Sequence, residues 1–283
     1  MKIIHSIKQT REFIRQSRKK GASIVFVPTM GALHEGHLSL LARARQLAGP
    51  RGIVAASIFV NPTQFNDPKD LAKYPRTLSA DAVLCRRAGA DLIFAPSANE
   101  MYASDFSTWV NEGFLSLPLC GASRPGHFRG VCTVVLKLFN IVQPDIAIFG
   151  QKDAQQAMVI QRMTRDLNCP VRIVIAPTVR EKDGLAMSSR NRRLSSKQRT
   201  EAVFLNRALQ SANDAFRAGI RSSAELIRNA KTVLRQASHM RPDYLELVSS
   251  TTLRPVKKAS KGDLLVAAVF LGSVRLIDNR RID

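Results

Sequence analysis

The chain of 283 residues has only four cysteines, at 85, 120, 132 and 169, and no two of them form a C-x-x-C pair. That scarcity excludes a disulfide framework and offers no zinc-knuckle spacing. One tryptophan and three tyrosines provide few rings on which the bases of a single-stranded nucleic acid would stack. No apolar run reaches the roughly 20 residues of a membrane-spanning helix; even Leu264–Leu271 falls well short. The N-terminal MKIIHSIKQTREFIRQSRKKG spreads its charges and has no apolar segment ahead of a small-residue cleavage site, so no secretory signal is read there. These absences predict a cytoplasmic protein with no membrane association.

Acidic side chains are the other scarcity. There are 22 Asp and Glu against 43 Lys and Arg, a formal net charge of +21, which favours encounter with polyanions and anionic ligands. The excess is +10 over residues 1–178 and +11 over 179–283, so no basic block dominates either part. Arg11, Arg15 and Arg18 line up on one helical face, a pattern that most often marks a solvated stripe. No specific nucleic acid partner is predicted. At 45% apolar and 23% charged residues, the chain has the composition of an ordinary globular protein able to bury a core.

Short β-branched runs at 23–27, 53–60, 91–95, 145–149 and 171–176 alternate with helical patterns near 6–20, 37–47, 78–88, 131–142 and 154–166. That alternation predicts a parallel sheet covered by helices on both faces. After Pro177 the rhythm changes to helical patterns near 196–218 and 222–237, followed by strand-like 244–248, 264–271 and 274–277. The expected architecture is α/β: a Rossmann-like doubly wound N-terminal domain, 1–178, and a smaller α+β C-terminal domain, 179–283.

The first segment with chemical content is VPTMGALHEGHLSL at 27–40. Gly31 and Gly36 have the spacing of half a P-loop, but His37 and Leu38 stand where Lys and Ser or Thr are required. A Walker A loop is therefore excluded, and no G-x-G-x-x-G pattern occurs. What remains is a strand, a glycine turn, and two histidines three apart at the start of a helix. His34 and His37 would share one face beside unpaired, electropositive backbone N–H groups. They suit an anion clamp; the plainer alternative is a cap neighbour and a surface residue. No carboxylate or cysteine at evident spacing completes a metal site.

Three more segments follow strands or turns. Asn61 and Gln64, in NPTQ after the 53–60 strand, carry amides able to donate to and accept from a small hydroxy acid, or they belong to an ordinary Asn-Pro turn. Gly150, Gln151, Lys152 and Asp153 end the 145–149 strand. Lys152 can neutralise polyphosphate and Asp153 can accept from ribose hydroxyls, unless Asp153 is simply a helix cap. Ser188, Ser189 and Arg190 follow Asp183–Gly184 in a loop whose hydroxyls can reach phosphate. With Arg192 and Arg193 that loop also reads as a nucleic-acid patch.

The run His34–Glu35–Gly36–His37 resembles the H-x-G-H motif of the adenylate-forming nucleotidyltransferases. Its context PTMGALHEGHLSL is more similar to the pantothenate synthetase family than to aminoacyl-tRNA synthetases. SIFVNPTQF at 57–65, FGQKDAQQ at 149–156, DGLAMSSRN at 183–191 and HFRGVCTVVLKLFN at 127–140 carry the resemblance over nearly the whole chain. The resemblance implies an ATP-dependent, AMP-forming ligase that joins pantoate to β-alanine through pantoyl adenylate and releases pyrophosphate. By the same resemblance His37, His34 and Lys152 are catalytic. ATP is met by Met30, Gly31, Ala32, Leu33, His34, Glu35, Gly36, His37, Gly150, Gln151, Lys152, Asp153, Val179, Met187, Ser188, Ser189 and Arg190. Asn61, Gln64 and Gln156 meet pantoate, Gln64 also β-alanine.

The resemblance makes 187–190 the counterpart of a mobile ATP-binding loop, with the C-terminal domain closing over ATP, and implies a homodimer through the N-terminal domain. Mg²⁺ is expected with ATP, held mostly by phosphates and water, with no side-chain ligand assigned. Two other readings share parts of this pattern. An adenylyltransferase for a phosphate-bearing substrate would keep the histidine turn without needing the three amides, and a synthetase-like RNA-binding protein would use the charge.

Overall fold

The computed structural model describes residues 1–283. Six strands, β1 (Lys2–Ile4), β2 (Ile24–Thr29), β3 (Ile53–Ile58), β4 (Leu92–Phe94), β5 (Ile146–Gly150) and β6 (Arg172–Ala176), form one sheet in the order β1-β4-β3-β2-β5-β6. Every neighbouring pair is parallel. The strands lack polar alternation because both faces are covered. Val25, Val27, Val54, Ala56, Ile93 and Ile148 pack with Leu40, Leu41 and Ala44 of α2 (Glu35–Ala48) and with Ala82 and Cys85 of α4 (Leu78–Arg87). Alternate residues point to the opposite face, where Ile24, Phe26, Ala55, Leu92, Phe94 and Ala147 are fully buried. On helix α1 (Ile7–Lys19) the buried side chains are Thr10, Ile14 and Ser17, and the helix packs on α7 (His127–Val142).

The remaining helices of this part are short: α3 (Pro68–Ala72), α5 (Ala98–Met101) and α6 (Cys120–Ser123), with the longer α8 (Ala154–Asp166) joining β5 to β6. From β2 the chain proceeds outward through β3 and β4, whereas β5 and β6 add on the other side of β2. The order therefore reverses between the neighbours β2 and β5, the place where doubly wound sheets open a crevice at the strands' carboxyl ends.

The C-terminal part holds α9 (Ser196–Arg217), α10 (Ser223–Leu234) and an antiparallel sheet of β7 (Met240–Val248), β8 (Leu264–Leu271) and β9 (Val274–Arg281), in that order. Its core joins Leu205, Leu209 and Leu226 of the helices to Leu245, Leu265 and Leu276 of the strands. Contacts divide the chain into Met1–Gly150 with Gln155–Ala176, and Gln151–Ala154 with Pro177–Asp283. A single cut at 178 thus omits the 151–154 turn, which groups with the C-terminal part.

The α/β architecture is the one the sequence pattern predicts, with one short strand added and several boundaries moved. Strand β1 is three residues long on a sheet edge, too short to show a period. Helix α7 starts at His127 instead of 131. Strand β7 starts at Met240 instead of 244, because the register shifts between Pro242 and Tyr244 and so accommodates the proline. Strand β9 runs to Arg281 instead of ending at 277, carrying Asp278 and Asn279 into the interior at 3% and 5% exposure. No helix is long and apolar enough to cross a membrane.

Candidate functional site

The turn after β2 is held from beneath. Gly31 and Ala32 have φ of +84° and +52°, a region that favours glycine and strains alanine. A Cβ on Gly31 would lie 3.0 Å from both Asp81 Oδ2 and Ile58 Cγ2, so a side chain there would crowd both neighbours besides straining the backbone. The strained turn is fastened by Asp81, which is only 2% exposed. Its carboxylate accepts from Ala32 N at 3.0 Å, Leu33 N at 2.8 Å and Thr77 Oγ1 at 3.0 Å. Gly31 N donates to Thr29 Oγ1 at 3.1 Å, and that hydroxyl donates to Ser57 O at 2.8 Å. Sequence reasoning misses Asp81, which looks there like any acidic residue in the first turn of a helix.

On this base the two histidines cap α2. Gly36 N donates to His34 Nδ1 at 3.2 Å, and His34 N donates to His37 Nδ1 at 3.4 Å. The ring centroids are 4.2 Å apart. An accepting Nδ1 leaves the proton of a neutral imidazole on Nε2. Both rings therefore carry N–H donors on their outer nitrogens, at a helix N-terminus that already favours negative charge. The anion-clamp and cap readings are compatible: capping sets the tautomer.

The loop after β3 meets the same turn. Gln64 Nε2 donates to Met30 Sδ at 3.0 Å, and Gln64 Oε1 accepts from Asn61 Nδ2 at 3.0 Å. Asn61 is 1% exposed and its amide is fully engaged. Nδ2 also donates to Gly130 O at 3.2 Å, while Oδ1 accepts from Thr63 Oγ1 at 2.9 Å and Tyr102 Oη at 2.9 Å. Burial pushes the Tyr102 hydroxyl above the ordinary tyrosine value, so it remains a protonated donor. A substrate would reach Asn61 only by exchanging one of these bonds.

Helix α7 and the residues just before it supply further support that sequence reasoning does not assign. His127 Nδ1 donates to Gln64 O at 2.9 Å, Arg124 Nη2 donates to the same oxygen at 3.1 Å, and Arg124 Nη1 lies 3.2 Å from His127 Nε2. The signal available in the sequence is the HFRG segment, which reads there only as part of a linking stretch. Gly130 lets α7 approach this loop: a Cβ there would lie 2.4 Å from Thr63 O. Gly130→Ala is expected to push the 61–64 loop away and lower kcat/KM by roughly tenfold or more, since displacements near 1 Å can lower rates about 10²-fold. Steady-state kinetics beside a thermal melt check this; an unchanged kcat/KM would contradict it.

At the carboxyl end of β5, Gln151–Asp153 form a single 3₁₀ turn leading into α8. Lys152 is mostly buried, its side chain 18% exposed, and its Nζ is 3.8 Å from Asp153 Oδ2. Gln156 is half-buried on the first turn of α8. Its neighbour Gln155 is buried and pins the 115–120 loop, donating to Leu115 O at 2.9 Å and Pro118 O at 2.7 Å and accepting from Cys120 N at 3.0 Å. The 31–37, 61–64 and 150–153 segments thus follow the carboxyl ends of β2, β3 and β5, three strands that are adjacent in the sheet.

Val179 and 187–190 belong to the C-terminal part. Residues 179–187 form a hairpin with Met187 N donating to Val179 O at 3.0 Å and Glu181 N to Leu185 O at 2.8 Å. Arg199 grips it, donating to Asp183 Oδ2 at 2.7 Å and Glu181 Oε2 at 2.6 Å. The Arg199 hydrogen bond holds the Asp183 carboxyl below its ordinary value. A depressed folded value means that this contribution is complete above the unfolded value of about 4 and fades as pH falls through the lowered one. The loop read at 188–190 runs into a short 3₁₀ helix, Ser189–Arg193, which Ser188 caps, its Oγ accepting from Arg190 N at 3.2 Å.

No three His, Cys, Asp or Glu side chains gather to hold a metal ion. Burial pushes the thiols of Cys85 and Cys132 up to about 12, which makes them packing residues and poor nucleophiles.

Residues 2–281 match the family model described as pantoate-beta-alanine ligase. The pantothenate synthetase of Pelotomaculum thermopropionicum is 50% identical over 279 residues, 99% of this chain and 98% of that protein. The crystal structure of pantothenate synthetase from Thermus thermophilus superposes with a TM-score of 0.94 at 44% identity, covering 100% of this chain and 99% of the other. That of the Francisella tularensis pantoate-beta-alanine ligase, complexed with beta-gamma ATP and beta-alanine, gives 0.81 at 34% identity, covering 99% and 97%. A match of this extent, with the two-histidine turn set at the reversal point of the sheet, places the chain in the pantoate-beta-alanine ligase family.

Proposed function

We propose that the enzyme joins pantoate to β-alanine with ATP as the driving reagent, through pantoyl adenylate. The observation that carries this reading is the family match across residues 2–281. A carboxylate oxygen of pantoate attacks the α-phosphorus, the bond to the β-phosphate oxygen breaks, and pyrophosphate leaves. The amine of β-alanine then attacks the acyl carbon, loses a proton, and AMP departs. Neither step needs a protein nucleophile; both need charge stabilisation and positioning.

His34 and His37 are assigned to the phosphate that gathers charge, through the Nε2–H donors that their capping bonds leave on the outer nitrogens. Because Nδ1 of His37 is occupied as an acceptor, donation by a neutral ring is the simpler role; full proton transfer is not required. The turn from Met30 to Gly36 shapes the approach to the nucleotide. Gly150 and Gln151 carry Lys152, which is assigned to polyphosphate, and Asp153 to the ribose. Val179 is assigned to adenine, and Met187, Ser188, Ser189 and Arg190 to the phosphates. Gln64 and Gln156 are assigned to pantoate, with Asn61 holding or joining Gln64 and with Gln64 also guiding β-alanine.

Mg²⁺ belongs with ATP, and the lack of a clustered protein ligand set fits an ion held by phosphate oxygens and water. There it would neutralise the polyphosphate. A homodimer formed through the N-terminal domain and a cytoplasmic location complete the proposal; light scattering on the purified protein tests the first.

The decisive assay follows products by substrate omission. Pyrophosphate release should require ATP and pantoate alone, and AMP should follow only when β-alanine is added. Folded protein that turns over neither would overturn the reading.

A further inference from the structure

Strand β9 buries two polar residues where its neighbours are apolar. In the ladder Asp278 lies opposite Ala267 and Asn279 opposite Val266. Asparagine is disfavoured in strands, and a buried amide costs free energy unless its donors and acceptor are all matched. Here they are. Asn279 Nδ2 donates to Gln151 O and to Lys152 O, each at 2.9 Å, and Asn279 Oδ1 accepts from Gln151 Nε2 at 3.0 Å.

Those two carbonyls belong to the peptide planes on either side of the Lys152 Cα. One nitrogen bound to both fixes the planes relative to each other, which sets φ and ψ of Lys152 and so the direction in which its side chain leaves the backbone. The adjoining Asp278 is equally committed. It takes a two-pronged grip from Arg180, at 2.6 and 3.0 Å, and accepts from Asn279 N at 2.8 Å. Successive residues of one strand thus hold the Lys152 turn and the hairpin that begins at Val179. An apolar residue at 279 would satisfy the core; only an amide satisfies these three groups.

We propose that Asn279 is a positioning residue for adenylation, acting through Lys152. This rests on the assignment of Lys152 to the ATP polyphosphate. A residue that aims a phosphate-binding lysine matters while pyrophosphate is departing and matters little once it has gone.

The test separates the two half-reactions of the full-length enzyme. In single-turnover experiments Asn279→Ala should slow formation of pantoyl adenylate from ATP and pantoate by about 10–100-fold. Aminolysis of supplied pantoyl adenylate by β-alanine should be nearly unchanged. Lys152→Ala should slow the first step at least as much, and adding Asn279→Ala to it should cost little more, because two residues acting through one group are not additive. Should the alanine variant not fold, Asn279→Asp keeps the size and the acceptor for Gln151 while losing the amide donor, and it should show the same selective loss. Equal slowing of both half-reactions, or losses that multiply in the double variant, would reduce Asn279 to a structural role. If Lys152→Ala slows adenylation and neither Asn279 variant does, the proposal alone falls. If Lys152→Ala leaves adenylation intact, the assignment of Lys152 itself falls first.

Discussion

Replacing His37 by alanine is expected to slow pantoyl adenylate formation by about 10²–10³-fold, the usual effect of removing one preorganised donor to a developing charge. The ring is held in place before substrate arrives. Its Nδ1 takes the His34 N–H at 3.4 Å, its neighbour His34 lies 4.2 Å away ring to ring, and it stands in the first turn of α2. Such a donor needs no reorganisation during the reaction, and a water replacing it would. The fold should tolerate the change. Leu40, Leu41 and Ala44 still anchor α2, and His34 still accepts from Gly36, so the loss of stability should stay near the ~1 kcal/mol typical of a weakened cap. Rapid-quench measurement of adenylate with a parallel thermal melt checks both halves. An unchanged adenylation rate would remove His37 from the chemistry.

Asp81→Asn should produce the largest loss of stability, about 3–5 kcal/mol. Each charge-assisted bond to Ala32 N, Leu33 N and Thr77 Oγ1 is worth about 1.5–3 kcal/mol, and the Thr77 hydroxyl can turn to recover part of its share. The substituted amide brings an NH₂ toward backbone N–H groups, and at 2% exposure water cannot easily replace the missing acceptor. For a part of this size the melting temperature should fall by roughly 6–20 °C. Activity should fall further than the folded fraction does, because the positive φ of Ala32 persists only while the turn is over-determined. Urea unfolding and activity measured on the same preparation test this. A variant as stable and as active as the parent would show that the turn holds itself.

Much of the molecule is legible in the chain alone. Buried parallel strands announce themselves as short β-branched runs, which is why β2 through β6 stand out and the three-residue edge strand β1 does not. The candidate site is legible where chemistry sits on consecutive residues: the histidine turn, the NPTQ loop and the QKD turn are each a few residues long and follow a strand.

What holds those segments is hidden, for a common reason. Asp81, His127, Arg124 and Asn279 are distant in sequence from the groups they fasten, and each looks locally like a surface residue of a helix or the polar end of a strand. Asn279 is the plainest example. The polarity of residues 278–281 ends the expected strand at 277, whereas the strand continues with its buried polar groups matched, Asn279 by the Lys152 turn and Asp278 by Arg180. The charge excess of +21 is legible too, yet few of its cations enter the proposed chemistry. The rest form a field that can draw in anionic substrates.

The proposed reaction passes through an acyl adenylate, and isotope transfer tests that directly. With pantoate carrying ¹⁸O in its carboxylate, together with ATP, Mg²⁺ and β-alanine, mass spectrometry of the products should find one ¹⁸O in AMP and none in pyrophosphate. Label appearing in inorganic phosphate, with ADP as the nucleotide product, would mean that the carboxylate is activated as an acyl phosphate and would contradict the account.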